Sequence, residues 1–385
     1  MDDAAATGET KTGVASASAT STVHPVPATM QAAHILQWCA AGTVPETISF
    51  GPIPSPRTPI KNEVLIGVKA SSINIDDILA CQDTAGGGWF FHSRTPSADK
   101  PLVGGCEYAG VVLACGPDCQ TFHVGDRVCG LQDYVMKKLA GTWSEMTLTP
   151  ENNAVPMPAE MTFVEAASVG MGALVSGNMY KIAKLGEGSR CLVLGASGGL
   201  GSVMLQLLRG HKASRLHVSA VCSAANAELV TRLGADEAVD YGKSPIGQQL
   251  QGVDKFDAVF DFVGGKDMER SGAALLKRGG QFITAVGPMQ NIGDRKLSCC
   301  TWTGWACGLA QRLLCGGCCC RKYKYEFSSA MMPVKAEDFD RVAVEAGARA
   351  EIALEVPFAE APVREALKRV ASRHTGGKVV INFEL

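Results

Sequence analysis

A glycine-rich turn between two apolar runs, within residues 191–208, most constrains what this chain can fold into. The first run reads as a buried strand and the second as a helix. Ala196, Gly198 and Gly201 supply the small residues that let such a turn bend tightly, admit a pyrophosphate and pack helix on strand. The helix would then offer free N–H groups and a positive dipole end to phosphates. Glycine also suits other tight strand-to-helix turns, so a nucleotide site is a hypothesis at this point.

Strand-like and helix-like segments continue to alternate after this turn. Further strands are predicted at residues 216–221, 237–241, 257–262 and 281–286, and a helix at 224–233. The alternation predicts an α/β fold with a doubly wound parallel sheet. Such sheets bind ligands at the carboxyl ends of their strands. The candidate residues that fall at these ends include Ser223, Val263, Gly264 and Gly287.

The flanking segments differ in pattern and define the predicted domains. Short strands separated by Gly, Pro and Asp precede the nucleotide-binding unit and are typical of a small, mainly β barrel. The predicted domains are a disordered tail (1–28), the first part of the barrel domain (29–160), the nucleotide-binding domain (161–327) and a return to the barrel (328–385). Predicted elements outside the sheet are helices at 162–184, 336–346 and 361–372 and strands at 352–357 and 378–383. A substrate cleft is expected between the two domains.

Composition limits the partners and the compartment. The chain has 385 residues and a formal net charge of −2, which gives no reason to expect nucleic acid as a partner. It has 15 cysteines and no secretory signal at its start, which favours reduced thiols in the cytoplasm over a disulfide framework. The tail lacks the arginines of a mitochondrial presequence, although a mitochondrial or membrane-associated location stays open.

The order and spacing of several motifs resemble one superfamily. Besides the glycine-rich turn, these motifs lie at 72–77, 101–112, 124–128, 233–236, 239–241, 263–265 and 376–380. Over about residues 30–385 the chain resembles the medium-chain dehydrogenase/reductases, in their zinc-independent quinone oxidoreductase branch. Within that branch it is most similar to the reticulon-interacting mitochondrial oxidoreductases. The resemblance implies a GroES-like barrel domain, a Rossmann domain that binds NADPH, and a homodimer paired through an edge strand predicted at 323–327.

Two positions bear on whether the site holds a metal. Zinc-dependent relatives carry a cysteine ligand in the segment that matches Asn74 and a histidine at the position of Cys106. A neutral amide is a poor zinc ligand, and catalytic zinc usually needs three His, Cys or carboxylate groups. We therefore expect no metal. Cys106 with Glu107 is the remaining candidate for one, and Cys106 otherwise reads as a small buried residue.

Without a metal to polarise an alcohol, the resemblance favours substrates that are already activated by conjugation. The expected reaction is the NADPH-dependent reduction of quinones or α,β-unsaturated carbonyls by direct hydride transfer. The family places an asparagine beside the nicotinamide, so Asn74 is the predicted catalytic residue, which would orient substrate or cofactor. The alternative is a loop asparagine that bonds to nearby backbone.

One departure from the family keeps a second function open. Val175 stands where relatives carry a threonine in the helix that faces the cofactor, and Ser176 is the candidate for a substitute hydroxyl. The second hypothesis is therefore a low-turnover, NADPH-binding accessory protein that acts in a quinone pathway or with a membrane-associated partner.

The end of the second predicted strand favours NADPH over NADH. NAD sites usually place a carboxylate there, whereas this chain has Ser223, which can donate to a 2′-phosphate. Tyr241 matches the family tyrosine that contacts this phosphate, and Arg373 and Lys378 are candidates for additional positive charge. The lysine that many relatives carry near Asn226 is absent. The predicted cofactor-binding residues are Ala196, Ser197, Gly198, Gly199, Leu200, Gly201, Ser223, Tyr241, Val263, Gly264, Gly287 and Lys378.

Seven cysteines lie between residues 299 and 320, where an apolar helix is predicted over 297–320. It is too short to span a membrane. In one interpretation the helix packs over the cleft or at a dimer contact, with cysteine as a small hydrophobe. In a second, residues 299–322 contact a membrane surface, with the cysteines at 318–320 palmitoylated beside Arg321 and Lys322. In a third, the cysteines sense metal or redox state.

Overall fold

The structure, a computed structural model, describes residues 26–83, 95–132, 141–211, 215–290, 299–315, 322–328 and 335–385. Of the tail predicted at 1–28, all but the last three residues lie outside these ranges. The cysteines at 318–320 also lie outside them, so their predicted palmitoylation stays a prediction.

Two sheets form the domain that precedes the glycine-rich turn. Among the described residues, the smaller sheet contains β1 (Thr29–Ile35), β2 (Ser49–Pro54) and β4 (Leu102–Val103). The larger contains β3 (Glu63–Ile73), β5 (Glu107–Cys115), β6 (Arg127–Leu131), β7 (Met146–Pro150), β8 (Ala154–Pro156), β15 (Ile352–Pro357) and β16 (Lys378–Asn382). Because β16 pairs with β3, the C-terminal segment completes this domain. The mainly β, GroES-like domain is confirmed.

The second domain contains the parallel sheet. Its strands in the described ranges are β9 (Arg190–Leu194), β10 (His217–Cys222), β11 (Glu237–Asp240), β12 (Phe256–Asp261), β13 (Leu276–Thr284) and β14 (Lys324–Phe327). They lie in the order β11-β10-β9-β12-β13-β14, and all these neighbours are parallel. The strands that follow β9 lie first on one side of it, as β10 and β11, and then on the other side, from β12 onward. Sheets of this kind bind ligands at this switch point, between β9 and β12. The predicted doubly wound sheet is confirmed.

Both faces of the parallel sheet are buried, which explains why its strands read as continuous apolar runs. Along β9, Val193 faces one hydrophobic cluster and Leu192 faces another. Phe260 and Val259 divide in the same way along β12. Side chains alternate between the faces of a strand, so each face receives every second residue.

The helices are mostly short. They are α1 (Val44–Thr47), α2 (Ile75–Ala80), α3 (Phe163–Met171), α4 (Gly177–Ile182), α5 (Gly199–Arg209), α6 (Ala227–Arg232), α7 (Ile246–Gln249), α8 (Lys266–Leu275), α9 (Cys299–Cys315), α10 (Ala336–Phe339) and α11 (Glu360–Ala371). Short 3₁₀ turns span Glu151–Asn153 and Ala224–Asn226, and π-helical turns span Gly172–Ser176 and Asp340–Glu345.

Three predicted helices are less regular than expected. A π-helical turn separates α3 from α4 within the helix predicted at 162–184, and another follows α10 within the helix predicted at 336–346. The helix predicted at 224–233 begins with a 3₁₀ turn. Close packing accompanies the first π turn, because a methyl group on Gly172 would lie 2.8 Å from Cγ2 of Val203 on α5. Hydrophobic periodicity cannot reveal such local changes of helical pitch.

Helix α9 covers part of the predicted 297–320 helix and packs beside β14. Arg312 Nε lies 2.6 Å from Glu269 Oε2, and Leu309 packs against the cluster on this face of the sheet. Cys300 and Cys307 are exposed, and Leu314 is 84 % exposed. Among the described residues, no helix has the length and apolar character needed to cross a membrane. One side of α9 is therefore packed, and nothing described covers its other side.

The short helix α2 contains a buried carboxyl group. Asp77 is fully buried, and its Oδ2 accepts a hydrogen bond of 2.6 Å from the backbone N–H of Asn74, where the helix begins. Burial raises the pKa of Asp77 to about 8, and the nearby Asp76 also acts to raise it. Because the unfolded chain would give this group its ordinary pKa near 4, folding takes up a proton between those two values.

We predict that this carboxyl makes stability fall as the pH rises from about 4 to about 8, since the folded chain then binds more protons than the unfolded chain. The contribution is at most about 1.4 kcal/mol per pH unit. Denaturant unfolding at pH 5 to 9 measures it, and the comparison is Asp77→Asn, which keeps an oxygen acceptor for Asn74. A variant that keeps the same pH dependence as the natural chain would contradict the assignment.

Candidate functional site

The turn after β9 has the geometry of a phosphate-binding loop. Gly195 has φ of +76°, and α5 begins at Gly199 with Gly198 as its N-cap. A methyl group on Gly201 would lie 2.3 Å from the Gly195 carbonyl oxygen and 2.7 Å from Cα of Ala196. Only glycine permits this approach. The first N–H groups of α5 have no acceptor within the helix, so they are available to a diphosphate. The loop fits a dinucleotide.

Residues predicted to select the cofactor lie at the ends of neighbouring strands. Ser223 follows β10 and Tyr241 follows β11, and the Tyr241 N–H donates to the Cys222 carbonyl at 3.1 Å. Tyr241 is 52 % exposed. Asn226 donates to Ser223 Oγ at 3.2 Å.

Asn226 also joins this corner to the glycine-rich loop, because its Nδ2 lies 3.1 Å from Ser197 Oγ. The C-terminal segment closes over the same corner, since a methyl group on Gly376 would lie 3.5 Å from Asn226 Oδ1. One carboxylate lies nearby: Asp240 ends β11, and its Oδ1 accepts the Gly242 N–H at 2.9 Å. The amide of Asn226 therefore connects Ser223 to the glycine-rich loop. The sequence analysis noted at this position only that a lysine is absent.

Two polar residues missed by the sequence analysis hold the loops after β12 and β13. Asp261 Oδ1 accepts the N–H groups of Val263 at 3.0 Å and Gly264 at 2.9 Å. Its Oδ2 accepts the Thr284 hydroxyl at 2.8 Å, and Thr284 in turn accepts the Gly287 N–H at 3.0 Å. Burial raises the pKa of Asp261. The available signal was a carboxylate that ends an otherwise apolar strand.

Asn74 lies in a buried polar cluster at the end of β3. Its Oδ1 accepts from Lys378 Nζ at 2.7 Å, and its Nδ2 donates to Glu107 Oε2 at 3.1 Å. The Asn74 side chain therefore bonds to the side chains of Lys378 and Glu107. The same Glu107 oxygen accepts Lys378 Nζ at 2.5 Å and Ser72 Oγ at 2.5 Å. Glu107 is 0 % exposed and Lys378 is 4 % exposed.

This cluster contacts helix α3 and the phosphate loop. Glu107 Oε1 accepts the backbone N–H of Met171, the last residue of α3, at 2.8 Å. The alkyl chain of Lys378 lies against the phosphate loop, since a methyl group on Gly199 would be 3.0 Å from its Cδ. Lys378 therefore connects Asn74 to the loop that fits the cofactor.

The location of Lys378 shows which groups its charge contacts in this structure. We expected its positive charge to assist binding of the 2′-phosphate with Arg373, but the ammonium group bonds to Asn74 and Glu107 within the cluster. Its contact with the cofactor loop is made by its methylene groups. Arg373 is exposed and has φ of +60°. The C-terminal segment therefore contributes Lys378 to the polar cluster. The turn just before Lys378, at Gly376, lies near Asn226.

The structure also describes the residues considered for metal binding and for the missing threonine hydroxyl. Burial raises the pKa of the Cys106 thiol well above its usual range, and its Sγ lies 3.8 Å from Asn74 Nδ2. In the described ranges, no group of three His, Cys, Asp or Glu side chains is arranged to hold a metal ion. Val175 is buried in the first π turn. Ser176 donates its hydroxyl to the Leu200 carbonyl at 2.9 Å, so it supports the phosphate loop.

Comparison with known proteins places the chain in a family. The family described as "Alcohol dehydrogenase GroES-like domain" matches residues 60–159, and "Zinc-binding dehydrogenase" matches residues 233–381. The NAD(P)H oxidoreductase RTN4IP1, mitochondrial, of Mus musculus is 33 % identical over 83 % of this chain and 82 % of its own length. The 2-methylene-furan-3-one reductase of Solanum lycopersicum is 30 % identical over 61 % of this chain and 58 % of its own.

A solved structure supports the fold. The quinone oxidoreductase from Coxiella burnetii superposes with a TM-score of 0.72 at 20 % identity, over 92 % of this chain and 99 % of that one. The sequence matches span both domains, and the loop after β9 fits a dinucleotide in this structure. The chain therefore belongs to the medium-chain dehydrogenase/reductase family and is an NAD(P)H-dependent oxidoreductase.

Proposed function

We propose that this protein uses NADPH to reduce quinones or α,β-unsaturated carbonyls without a metal. The observation that carries the proposal is the contact between the Lys378 side chain and Gly199, because it holds Asn74 beside the phosphate loop. The bound dihydronicotinamide supplies the hydride. The chain itself must bind and align the reactants and exclude water.

Asn74 is the candidate for contacting the substrate. One N–H of its amide donates to Glu107 Oε2 at 3.1 Å, and the second has only longer contacts, to Ser72 Oγ at 3.4 Å and to Cys106 Sγ at 3.8 Å. That second N–H is available for the oxygen of a quinone or enone, where negative charge develops as hydride arrives. A metal is not required for this role, because conjugation already activates such a substrate. An alcohol, in contrast, would need a Lewis acid.

The names of several relatives support a conjugated substrate. One is an NADPH-dependent alkenal/one oxidoreductase from Arabidopsis thaliana, 30 % identical over 61 % of this chain and 58 % of its own length. The reductase from Solanum lycopersicum is also named for an unsaturated ketone. NADPH is favoured because Ser223, and not a carboxylate, follows β10, with Tyr241 beside it.

The low-turnover accessory function remains the second candidate. The observation in its favour is that Val175 is buried in the π turn while the Ser176 hydroxyl is engaged by Leu200. Neither residue therefore restores the hydroxyl that relatives present to the cofactor. Binding of NADPH is common to both candidates, so turnover distinguishes them.

In the turnover assay we predict that the purified protein consumes NADPH when mixed with a naphthoquinone, phenanthrenequinone or an enal. The loss of reduced-nicotinamide absorbance measures it, and pre-treatment with a strong chelator should leave the rate unchanged. Intact NADPH binding with no turnover across this panel would favour the accessory function. Loss of the rate on chelation with recovery on adding zinc would overturn the metal-free proposal.

In a second test, Gly201→Ala should weaken NADPH binding by about tenfold or more, because the new methyl group forces the backbone of the phosphate loop apart. Titration of NADPH fluorescence measures the affinity. The matched control is Gly247→Ala on α7, where a methyl group would meet nothing within 4 Å. Equal NADPH affinities for the two variants would show that the loop is not part of the cofactor site.

A third test concerns the choice of cofactor. Ser223→Asp should lower the affinity for NADPH relative to NADH by about tenfold, because the new carboxylate repels a 2′-phosphate and can accept from a ribose hydroxyl. The same charge placed at the exposed Thr231 on α6, as Thr231→Asp, controls for net charge. An unchanged ratio of the two dissociation constants would contradict the assignment of this corner.

A further inference from the structure

We propose that Lys378 is a positioning residue for Asn74: it fixes the orientation of the Asn74 amide, so that one N–H stays directed at the substrate oxygen. The proposal rests on the function proposed above and assigns the lysine a role other than phosphate binding. Its basis is the arrangement of three side chains, Asn74, Lys378 and Ser72, around one buried carboxylate oxygen, Oε2 of Glu107.

The chemistry of the two charged neighbours permits only one orientation of the amide. An ammonium group can donate but cannot accept, so the Asn74 atom 2.7 Å from Lys378 Nζ must be the carbonyl oxygen. An ionised carboxylate can only accept, so the atom 3.1 Å from Glu107 Oε2 must be the amide nitrogen. Rotating the amide by half a turn would replace both hydrogen bonds with repulsive contacts. The ion pair therefore specifies which end of Asn74 faces the cleft.

Burial makes this arrangement rigid. The Lys378 ammonium is shared among Asn74 Oδ1, Glu107 Oε2 and, at 3.4 Å, Ser72 Oγ, which satisfies its three donors. Glu107 is held on its other oxygen by the Met171 N–H. A buried ion pair is weak evidence for a purely stabilising role, because desolvation of both charges opposes their attraction. A role in orienting a neighbour accounts for the pair better.

The lysine also connects this orientation to the cofactor loop. Its methylene groups lie 3.0 to 3.2 Å from where a methyl group on Gly199 would be. The loop thus limits the positions that the ammonium group can take, and Asn74 is aligned against the same surface that binds the dinucleotide. Methionine at position 378 would keep the apolar contact with the loop and remove only the hydrogen bonds.

The experiment compares Lys378→Met, Asn74→Leu and the double variant with the natural chain. A positioning role predicts that Lys378→Met lowers kcat for the quinone by about tenfold or more. The NADPH dissociation constant should change less than about threefold, because methionine keeps the apolar contact with the phosphate loop. The double variant should be no slower than Asn74→Leu alone, because Lys378 acts through Asn74. Lys368→Met, at a half-exposed site on α11, is the matched control.

A second readout does not depend on turnover. The side-chain amide of Asn74, identified in NMR spectra by its loss in Asn74→Asp, should be protected from hydrogen exchange in the natural chain and should lose that protection in Lys378→Met. Should Lys378→Met fail to fold, Lys378→Met combined with Glu107→Gln removes both charges together and takes its place.

The outcomes separate the two proposals. An unchanged kcat in folded Lys378→Met, multiplicative losses in the double variant, or an unaltered Asn74 amide signal would overturn the positioning role. If the natural chain turns over none of the panel, the proposed function fails, and the amide signal alone decides whether Lys378 orients Asn74.

Discussion

The buried carboxylate of Glu107 is the constraint on which the arrangement of the two domains around the site depends. A charge taken out of water must be satisfied by donors, and the donors here come from several elements that are far apart in sequence. Asn74 and Lys378 belong to the barrel domain, whereas the Met171 N–H ends the helix that leads into the nucleotide-binding domain. These groups cannot move independently without leaving the carboxylate unpaired. The cluster therefore holds β3, β5, β16 and the end of α3 in fixed positions beside the phosphate loop.

The phosphate loop lies between two groups of candidate site residues. Ser223 and Tyr241 lie at the ends of neighbouring strands on one side, joined to the loop through Asn226. On the other side, Lys378 contacts the loop through its methylene groups and Asn74 through its ammonium group. An open parallel sheet favours this division, because the loops at its switch point diverge to both faces. In the proposed function, the barrel domain supplies the side chains that meet the reacting end of the dinucleotide.

The fold and the glycine-rich loop could be predicted because their signals are local. Apolar runs of strand length alternate with helix-like segments, and Gly201 stands six residues after Gly195, where close approach of the backbone requires it. The partners of Lys378 could not be predicted, since Glu107 is 271 residues away and the pairing arises only when β16 docks beside β3. The two π-helical turns were also missed, because they depend on packing against other elements and not on sequence period.

Transfer of deuterium tests the central claim most directly. NADPH labelled at the reactive C4 position would be mixed with the protein and an α,β-unsaturated ketone after treatment with a chelator, and the product analysed by mass spectrometry. The account predicts one deuterium per product molecule, bonded to the carbon β to the carbonyl group, and no effect of the chelator. A reduced product that carries no deuterium, or a reaction that requires added metal, would contradict it.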